Sequence, residues 1–313
     1  MKRTRRSYVW EFLKSARYVF RYKILRIKPP TNRIGKYKRI TMQKSNNAIE
    51  EAILKGKPFA AIRFGAVELS ALNNYEKIRL GFSRKYKKSV VYSIKNNAGV
   101  FPATQEMIEF YAKHLEYILS DTDYLGVSGV HMENYFFKHL TPHAVPVQNW
   151  SLDPLLGKWS HLLADKRVLV ISPFAEQIEE QYKKRQLLFP TEPEILPEFK
   201  LLTIPAVLTS GRANSKDFDN FFEALDHLKL EILKKEFDIA LVGAGAYGTP
   251  LCLYIKSLGK MAIQSGGATQ LLFGLMGKRW EKREYVARHV NPHWTRPTTK
   301  PYGHKNIEGG CYW

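Results

Sequence analysis

The stretch FDIALVGAGAYGTPLCLYIKSLGKMAIQSGGATQLLFGLMGKRW (237–280) decides the reading of the fold. Its Asp238–Gly243 segment (DIALVG) is a short apolar run ending in glycine, the pattern of a strand buried on both faces. Gly243-Ala244-Gly245-Ala246-Tyr247-Gly248 follows as G-x-G-x-x-G, and a helical pattern continues to Leu258. Lys260–Gln264 reads as a second strand, Ser265-Gly266-Gly267 as a second glycine turn, and Ala268–Leu275 as a second helix. Strand, glycine turn, helix and strand in that order make the crossover unit of a parallel sheet.

The same alternation extends towards the N-terminus. Ser45 is placed to cap a helix through Lys55, Phe59–Phe64 is strand-like, and Val67 to Lys77 is helical. Thr104 caps a helix to about Leu119. Tyr124–Val130, Lys166–Ser172 and Leu201–Val207 read as strands, and Glu176–Leu188 and Ser215–Lys235 as helices. The expectation is an α/β fold: a Rossmann-like parallel sheet over residues 41–277 with helices on both faces. Residues 278–313 read as an irregular tail whose Trp280, Trp294, Tyr302, Tyr312 and Trp313 predict packing on the core.

A chain of 313 residues with 44% hydrophobic content is no disordered segment, and it is long enough for a substantial core. Two cysteines, Cys252 and Cys311, make no disulfide framework and point to a reducing, cytoplasmic setting. The longest uncharged runs, Ile239–Ile255 and Met261–Gly277, are studded with glycine and fall short of the about 20 apolar residues of a spanning helix. Glu11, Lys14 and Arg17 interrupt what would be the apolar region of a signal peptide.

The charge is unevenly placed. Of the net +20, residues 1–40 hold +13, with 14 Lys or Arg against the single acid Glu11. Val9, Leu13, Ala16, Phe20, Ile24 and Ile27 share one helical face, beside a basic stripe of Lys14, Arg17, Arg21 and Lys28, until Pro29 and Pro30 end the pattern. Trp10, Tyr18 and Tyr22 add rings suited to a headgroup region. Residues 1–28 therefore read as a basic amphipathic helix for an anionic membrane surface, the alternative being packing on the protein's own core. Nucleic acid is not expected as a partner, because the basic excess leaves the body of the chain almost untouched and no nucleic-acid motif occurs.

In an open parallel sheet, ligands bind beyond the carboxyl ends of the strands. Glycines at 243, 245 and 248 let a backbone approach a phosphate and open a helix N-terminus towards it. A dinucleotide site would want an acid about 20 residues further on, and residues 261–277 contain none. A nucleoside diphosphate fits this pattern better than NAD, and a plain tight turn is the bland alternative. Arg63 offers a planar fork to phosphate, while Glu68 could act as a base, hold a cation, or pair with Arg63. Ser128 to His131 and Thr209 to Arg212 follow two other strands. His131, His143 and His161 lack metal spacing, and Cys252 reads as a small core residue.

Taken together, IRFGAVELSAL (62–72), VLVISPFAEQIEEQY (168–182), LPEFKLLTIPAV (196–207), the 237–280 block and the ending NPHWTRP…EGGCYW (291–313) resemble bacterial glycosyltransferases of the GT-D fold. That family is marked by R-x-G-x-x-E and is found around surface-polysaccharide synthesis. The resemblance implies a nucleoside diphosphate sugar donor at the strand ends, and the acceptor expected with it is a lipid-linked glycan. Arg63, Gly65 and Glu68 match the family's first motif; with the glycine turns, the expected nucleotide-sugar-binding residues are Arg63, Gly65, Gly243, Gly245, Tyr247, Gly248, Gly266 and Gly267, with Glu68 as the catalytic candidate and no base carried over from the family. The resemblance also implies a divalent Mn or Mg ion, but Ala66 stands where the family commonly carries Asp and Val67 where it carries Gly. Glu68 is then the one carboxylate left to such an ion. The rival expectations are a methyltransferase or dehydrogenase using another nucleotide cofactor, or a catalytically degenerate transferase acting as a membrane scaffold.

Overall fold

The structure, a computed structural model, describes residues 3–26, 33–34, 37–38, 40–129, 132–210, 215 and 217–313. Ile27, Lys28, Pro29, Pro30, His131, Gly211 and Arg212, which figure in the sequence reading, lie outside the described residues. Along β1 (Phe59–Arg63), Ala60 and Ile62 enter one apolar cluster while Phe59 and Ala61 enter another. The same alternation holds in β4 (Arg167–Ser172) and β6 (Ile239–Val242), so the sheet is buried on both faces. The other strands are β2 (Tyr124–Val127), β3 (Val145–Gln148), β5 (Lys200–Pro205) and β7 (Met261–Ile263). Their order is β3-β2-β1-β7-β6-β4-β5, and every neighbouring pair is parallel.

The order sets where a ligand can sit. After β1 the chain enters α3 (Ala66–Arg79), whose Leu69 and Leu72 pack in the first cluster. After β7, beside β1 in the sheet, it enters a short helix whose Leu271 and Leu272 pack in the second. Neighbouring strands thus send their chains to opposite faces, which opens a crevice at their carboxyl ends. The remaining helices of eight residues or more are α1 (Arg5–Val19), α2 (Met42–Lys55), α4 (Gln105–Ile118), α5 (Glu133–Leu140), α6 (Ala175–Tyr182), α7 (Phe221–Leu233) and α8 (Gly248–Ser257).

Several boundaries differ from the expectation. Thr41, not Ser45, caps α2 through the Lys44 N–H, and Ser45 Oγ instead donates to the Thr41 carbonyl and accepts from the Gln148 N–H. The helix expected over 176–188 breaks at Lys183 and Lys184 into α6 and a turn at Arg185–Leu188. α7 starts at Phe221, because the Asn220 side chain accepts from the N–H groups of Phe222 and Glu223. The last helix stops at Leu272, ahead of Gly274 in the left-handed region (φ +64°). The strand from Tyr124 ends at Val127, short of Val130.

α1 is tied to this domain through polar contacts. Tyr8 donates to Asn73 Oδ1 (2.6 Å), Arg5 Nε to the Leu80 carbonyl (2.5 Å), and Arg3 pairs with Glu116 and, at 3.6 Å, with Glu76. Glu76 is the centre of that contact. Its fully buried carboxylate accepts two hydrogen bonds from Arg79 (both 2.8 Å) and one from the Tyr135 hydroxyl (2.5 Å). Burial alone would push its pKa up, but the Arg79 and Tyr135 hydrogen bonds and the Arg3 charge hold it below the ordinary carboxylate value. Removing the carboxylate takes from Arg79 its ion-pair partner, while Arg3 keeps Glu116. Glu76→Ala should cost about 3 kcal/mol in urea unfolding, the low end for a broken buried pair because both arginines keep some solvent. A cost under about 1 kcal/mol, the level of a surface ion pair, would mean that α1 is not held through this centre.

Candidate functional site

The carboxyl ends of β1, β7 and β6 open into one cleft of about 300 Å³, at the lower end of the range for small-ligand sites. The first wall is the turn from β1 into α3. Gly65 is the N-cap residue of α3, and Glu68 is the third residue of that helix. The Glu68 carboxylate folds back over the helix start, where it accepts a hydrogen bond from its own N–H and would overlap any Cβ at position 65. The glycine of R-x-G-x-x-E is therefore the room that its glutamate occupies.

Arg63 joins this wall to the next. Its backbone N–H donates to Gln264 Oε1 at the end of β7 (3.1 Å), and its guanidinium lies over Gly266, where a Cβ would overlap it. Gly266 also has φ +58°, so two constraints call for glycine there. Gly243, at the end of β6, packs against that same turn: its Cβ would stand 2.6 Å from the Gly266 carbonyl oxygen and 2.7 Å from Thr269 Oγ1. Gly245 (φ +53°) completes the second turn beside the Ala98 carbonyl. Arg63, Gly65, Glu68, Gly243, Gly245, Gly266 and Gly267 all line the cleft.

Tyr247 and Gly248 are not among the lining residues. Tyr247 is buried, stacked on Phe221 at 4.4 Å with its hydroxyl 3.3 Å from Thr209 Oγ1. Gly248 gives clearance to the Gln264 side chain, 2.6 Å from where its Cβ would be. Both serve the strand–helix packing that the bland reading of the motif described. No ion pair joins Arg63 to Glu68, and the Arg63 guanidinium has no hydrogen-bond or ion-pair partner among the described residues. Desolvation raises the Glu68 pKa above its ordinary 4.5; Arg63 opposes the rise and the nearby Glu308 carboxylate adds to it.

Glu308 belongs to the tail, which closes the cleft. Trp313 Nε1 donates to the Thr299 carbonyl (2.7 Å), and the N–H groups of Lys278 and Arg279 donate to the carbonyls of Trp313 and Cys311. Tyr312 covers Gly267 so closely that a Cβ there would overlap its ring. Arg279 holds Glu308 at 2.8 Å and the Tyr312 hydroxyl at 3.0 Å. Glu308 itself is left-handed (φ +47°) ahead of two left-handed glycines, a strained placement for a residue on the rim. The aromatic content of the tail predicted that it packs, but no local signal placed a second carboxylate opposite Glu68. Gln270 Oε1 and Asn149 Oδ1 are buried without a partner among the described residues, and both side chains line the cleft. No group of three or more His, Cys, Asp or Glu able to hold a metal ion exists among the described residues.

A guanidinium without a partner among the described residues, over one glycine turn and lining the same cleft as a second, suits a polyanion. Gly266→Ala should drive the Arg63 guanidinium aside while straining one backbone position by about 1 kcal/mol, or about 2–4 °C of melting temperature. We expect inorganic pyrophosphate to bind at least tenfold more weakly to this variant in calorimetric titration. Unchanged affinity with the same melting temperature would remove Arg63 and Gly266 from any anion site.

Residues 40–272 match the family profile of the GT-D fold-like domain. No curated protein and no solved structure matches the chain. The matched span includes all seven strands of the sheet, Arg63, Glu68 and both glycine turns, and leaves α1 and the tail outside it. On that match, over most of its length, the chain belongs to the GT-D fold-like domain family.

Proposed function

We propose that the chain is a glycosyltransferase that moves a sugar from a nucleoside diphosphate donor to a glycan acceptor in bacterial surface-polysaccharide synthesis. Membership of the GT-D fold-like family supports sugar transfer as the reaction class. The observation that carries the donor is the Arg63 guanidinium, unpaired among the described residues, where the turns after β1, β6 and β7 meet. A nucleoside diphosphate sugar has two phosphates to meet that charge, and its sugar end can then reach Glu68.

In the reaction, the acceptor oxygen bonds to the sugar's anomeric carbon as the bond from that carbon to the diphosphate oxygen breaks. The diphosphate leaves with the electron pair. Arg63 and the backbone N–H groups of Gly245 and Gly266, each opening a single helical turn, stabilise the charge that grows on it. Glu68 takes the acceptor's proton; a carboxylate with a raised pKa is the better base for that step. An Mn or Mg ion entering with the diphosphate would find Glu68 as its ligand from the first motif, with no second acid at Ala66. The acceptor is held on a lipid at the inner face of the cell membrane. No helix among the described residues is long and apolar enough to cross a membrane, which is compatible with that peripheral position.

Turnover tests this reading. With a panel of nucleoside diphosphate sugars and lipid-linked glycan acceptors, Glu68→Gln should lower kcat by about 10²-fold or more at a nearly unchanged melting temperature. The base works only when ionised, so wild-type kcat should fall as the pH drops through a midpoint above 4.5, and Glu68→Gln should lose that limb. Near-normal turnover with a lowered melting point would make Glu68 structural. Binding of S-adenosylmethionine or NAD in place of nucleoside diphosphates would contradict the donor class.

Ala66 lines the cleft at the first position of α3. Ala66→Asp should make nucleoside diphosphate affinity rise with added Mn or Mg more steeply than in the natural chain, because two carboxylates then face the diphosphate. Equal metal dependence in both proteins would mean that this turn does not meet the diphosphate.

A further inference from the structure

α1 packs on the domain with its polar side inward. Tyr8, Glu11 and Ser15, spaced three and four residues apart, form the inner face. Glu11, the only acid of the arm, is turned inward, where Lys138 (3.1 Å) and Asn134 bond it. The apolar side points out. On α1 Leu13 is 56% exposed, with Val9 and Trp10 beside it, and on the π-helical turn Phe20–Ile24 that continues the helix Phe20 is 51% and Ile24 65% exposed. Arg6, Lys14, Arg17 and Arg21 are exposed on the same outward side or its margin, and none makes an ion pair among the described residues. Most helices bury such a stripe.

A second patch adjoins this one. The loop after α3 exposes Phe82, whose ring contacts Tyr8 (5.6 Å between centroids) and lies under the Arg5 guanidinium (5.9 Å). Arg84, Lys85, Lys87 and Lys88 follow, also without an ion pair among the described residues. The outer surface is thus apolar along its middle, cationic along its margins, and free of acids on the helix.

We propose that the outer face of α1 and the loop Phe82–Lys88 together form one docking surface for an anionic lipid bilayer. Charge complementarity and depth choose this occupant. Phosphates of the headgroups would meet the Lys and Arg rims, and the acyl boundary would take Leu13, Phe20 and Ile24. A nucleic acid would meet the cations but leave those side chains in water. α3 also couples the docking surface to the cleft. It carries Glu68 in its first turn and Glu76 and Arg79, the anchors of α1, in its last. At 1.5 Å per residue, Glu68 and Arg79 stand about 16 Å apart along one rigid helix. The docking is separate from the identity of the donor.

Cosedimentation with vesicles of phosphatidylcholine and phosphatidylglycerol (3:1) tests it, using the full chain. Wild type should bind these vesicles, bind phosphatidylcholine vesicles at least tenfold more weakly, and lose affinity as salt rises. The triple variant Leu13→Ser, Phe20→Ser, Ile24→Ser should bind at least tenfold more weakly with an unchanged melting temperature, since all three side chains face solvent. A second variant, Phe82→Ser with Arg84→Ser and Lys85→Ser, should bind more weakly as well. Wild type that ignores anionic vesicles, or a triple variant that binds them as wild type does, overturns the proposal. Nucleoside diphosphate titration of the same preparations keeps the outcomes apart: wild type that binds nucleotide but ignores anionic vesicles sinks the docking surface alone.

Discussion

The Arg63 guanidinium lies over Gly266, and the rest of the site is arranged around that contact. It is possible only because β1 and β7 are neighbours in the sheet although about 200 residues separate them in the chain, a pairing that costs loop-closure entropy and is bought by apolar burial on both faces. Once the strands are side by side, each glycine has a stated partner. Gly65 leaves room for the Glu68 carboxylate, Gly266 for Arg63, Gly243 for the Gly266 turn, and Gly267 for Tyr312. The glycines bring backbone close to backbone at the strand ends, and the Arg63 guanidinium, which lines the cleft, has no hydrogen-bond or ion-pair partner among the described residues.

That arrangement explains which parts were legible in the sequence. The buried strands announced themselves because both faces are covered, so Lys166–Ser172 and Asp238–Gly243 are continuous apolar runs. β3 was not seen. It is a four-residue edge strand, VPVQ, with Pro146 and Gln148 in it, and edge strands need no such run. The glycine turns and Arg63 were legible because close backbone approach has few chemical solutions. Tyr247 and Gly248 show the limit of the motif: their positions in G-x-G-x-x-G are equally well explained by packing against Phe221 and Gln264, and that is where the structure puts them. Glu308 had no local signature, because its place depends on a tail that returns to the cleft from the far end of the chain.

The N-terminal helix makes a related point about orientation. Its apolar stripe was readable from spacing alone, but spacing cannot say which side faces the protein. A buried carboxylate decides it. Glu76 needs cations and a hydroxyl to remain ionised in the interior, and Arg3, Arg79 and Tyr135 supply them. With Arg3 committed to that centre and Tyr8 and Glu11 to their own partners, the stripe of Leu13, Phe20 and Ile24 is left facing out. The tail and α1 both lie beyond the matched 40–272 region, so the features that close the cleft and tie α1 to the domain include residues outside the matched span.

The central claim is that the strand-end cleft takes a nucleoside diphosphate through Arg63. Calorimetric titration of wild type and Arg63→Ala with nucleoside diphosphates tests it most directly, with melting temperature read on the same samples. The account predicts saturable, one-to-one binding by wild type and a loss of at least tenfold in the variant at a similar melting temperature. Equal affinity in the two proteins, or no nucleoside diphosphate bound by wild type, would contradict it.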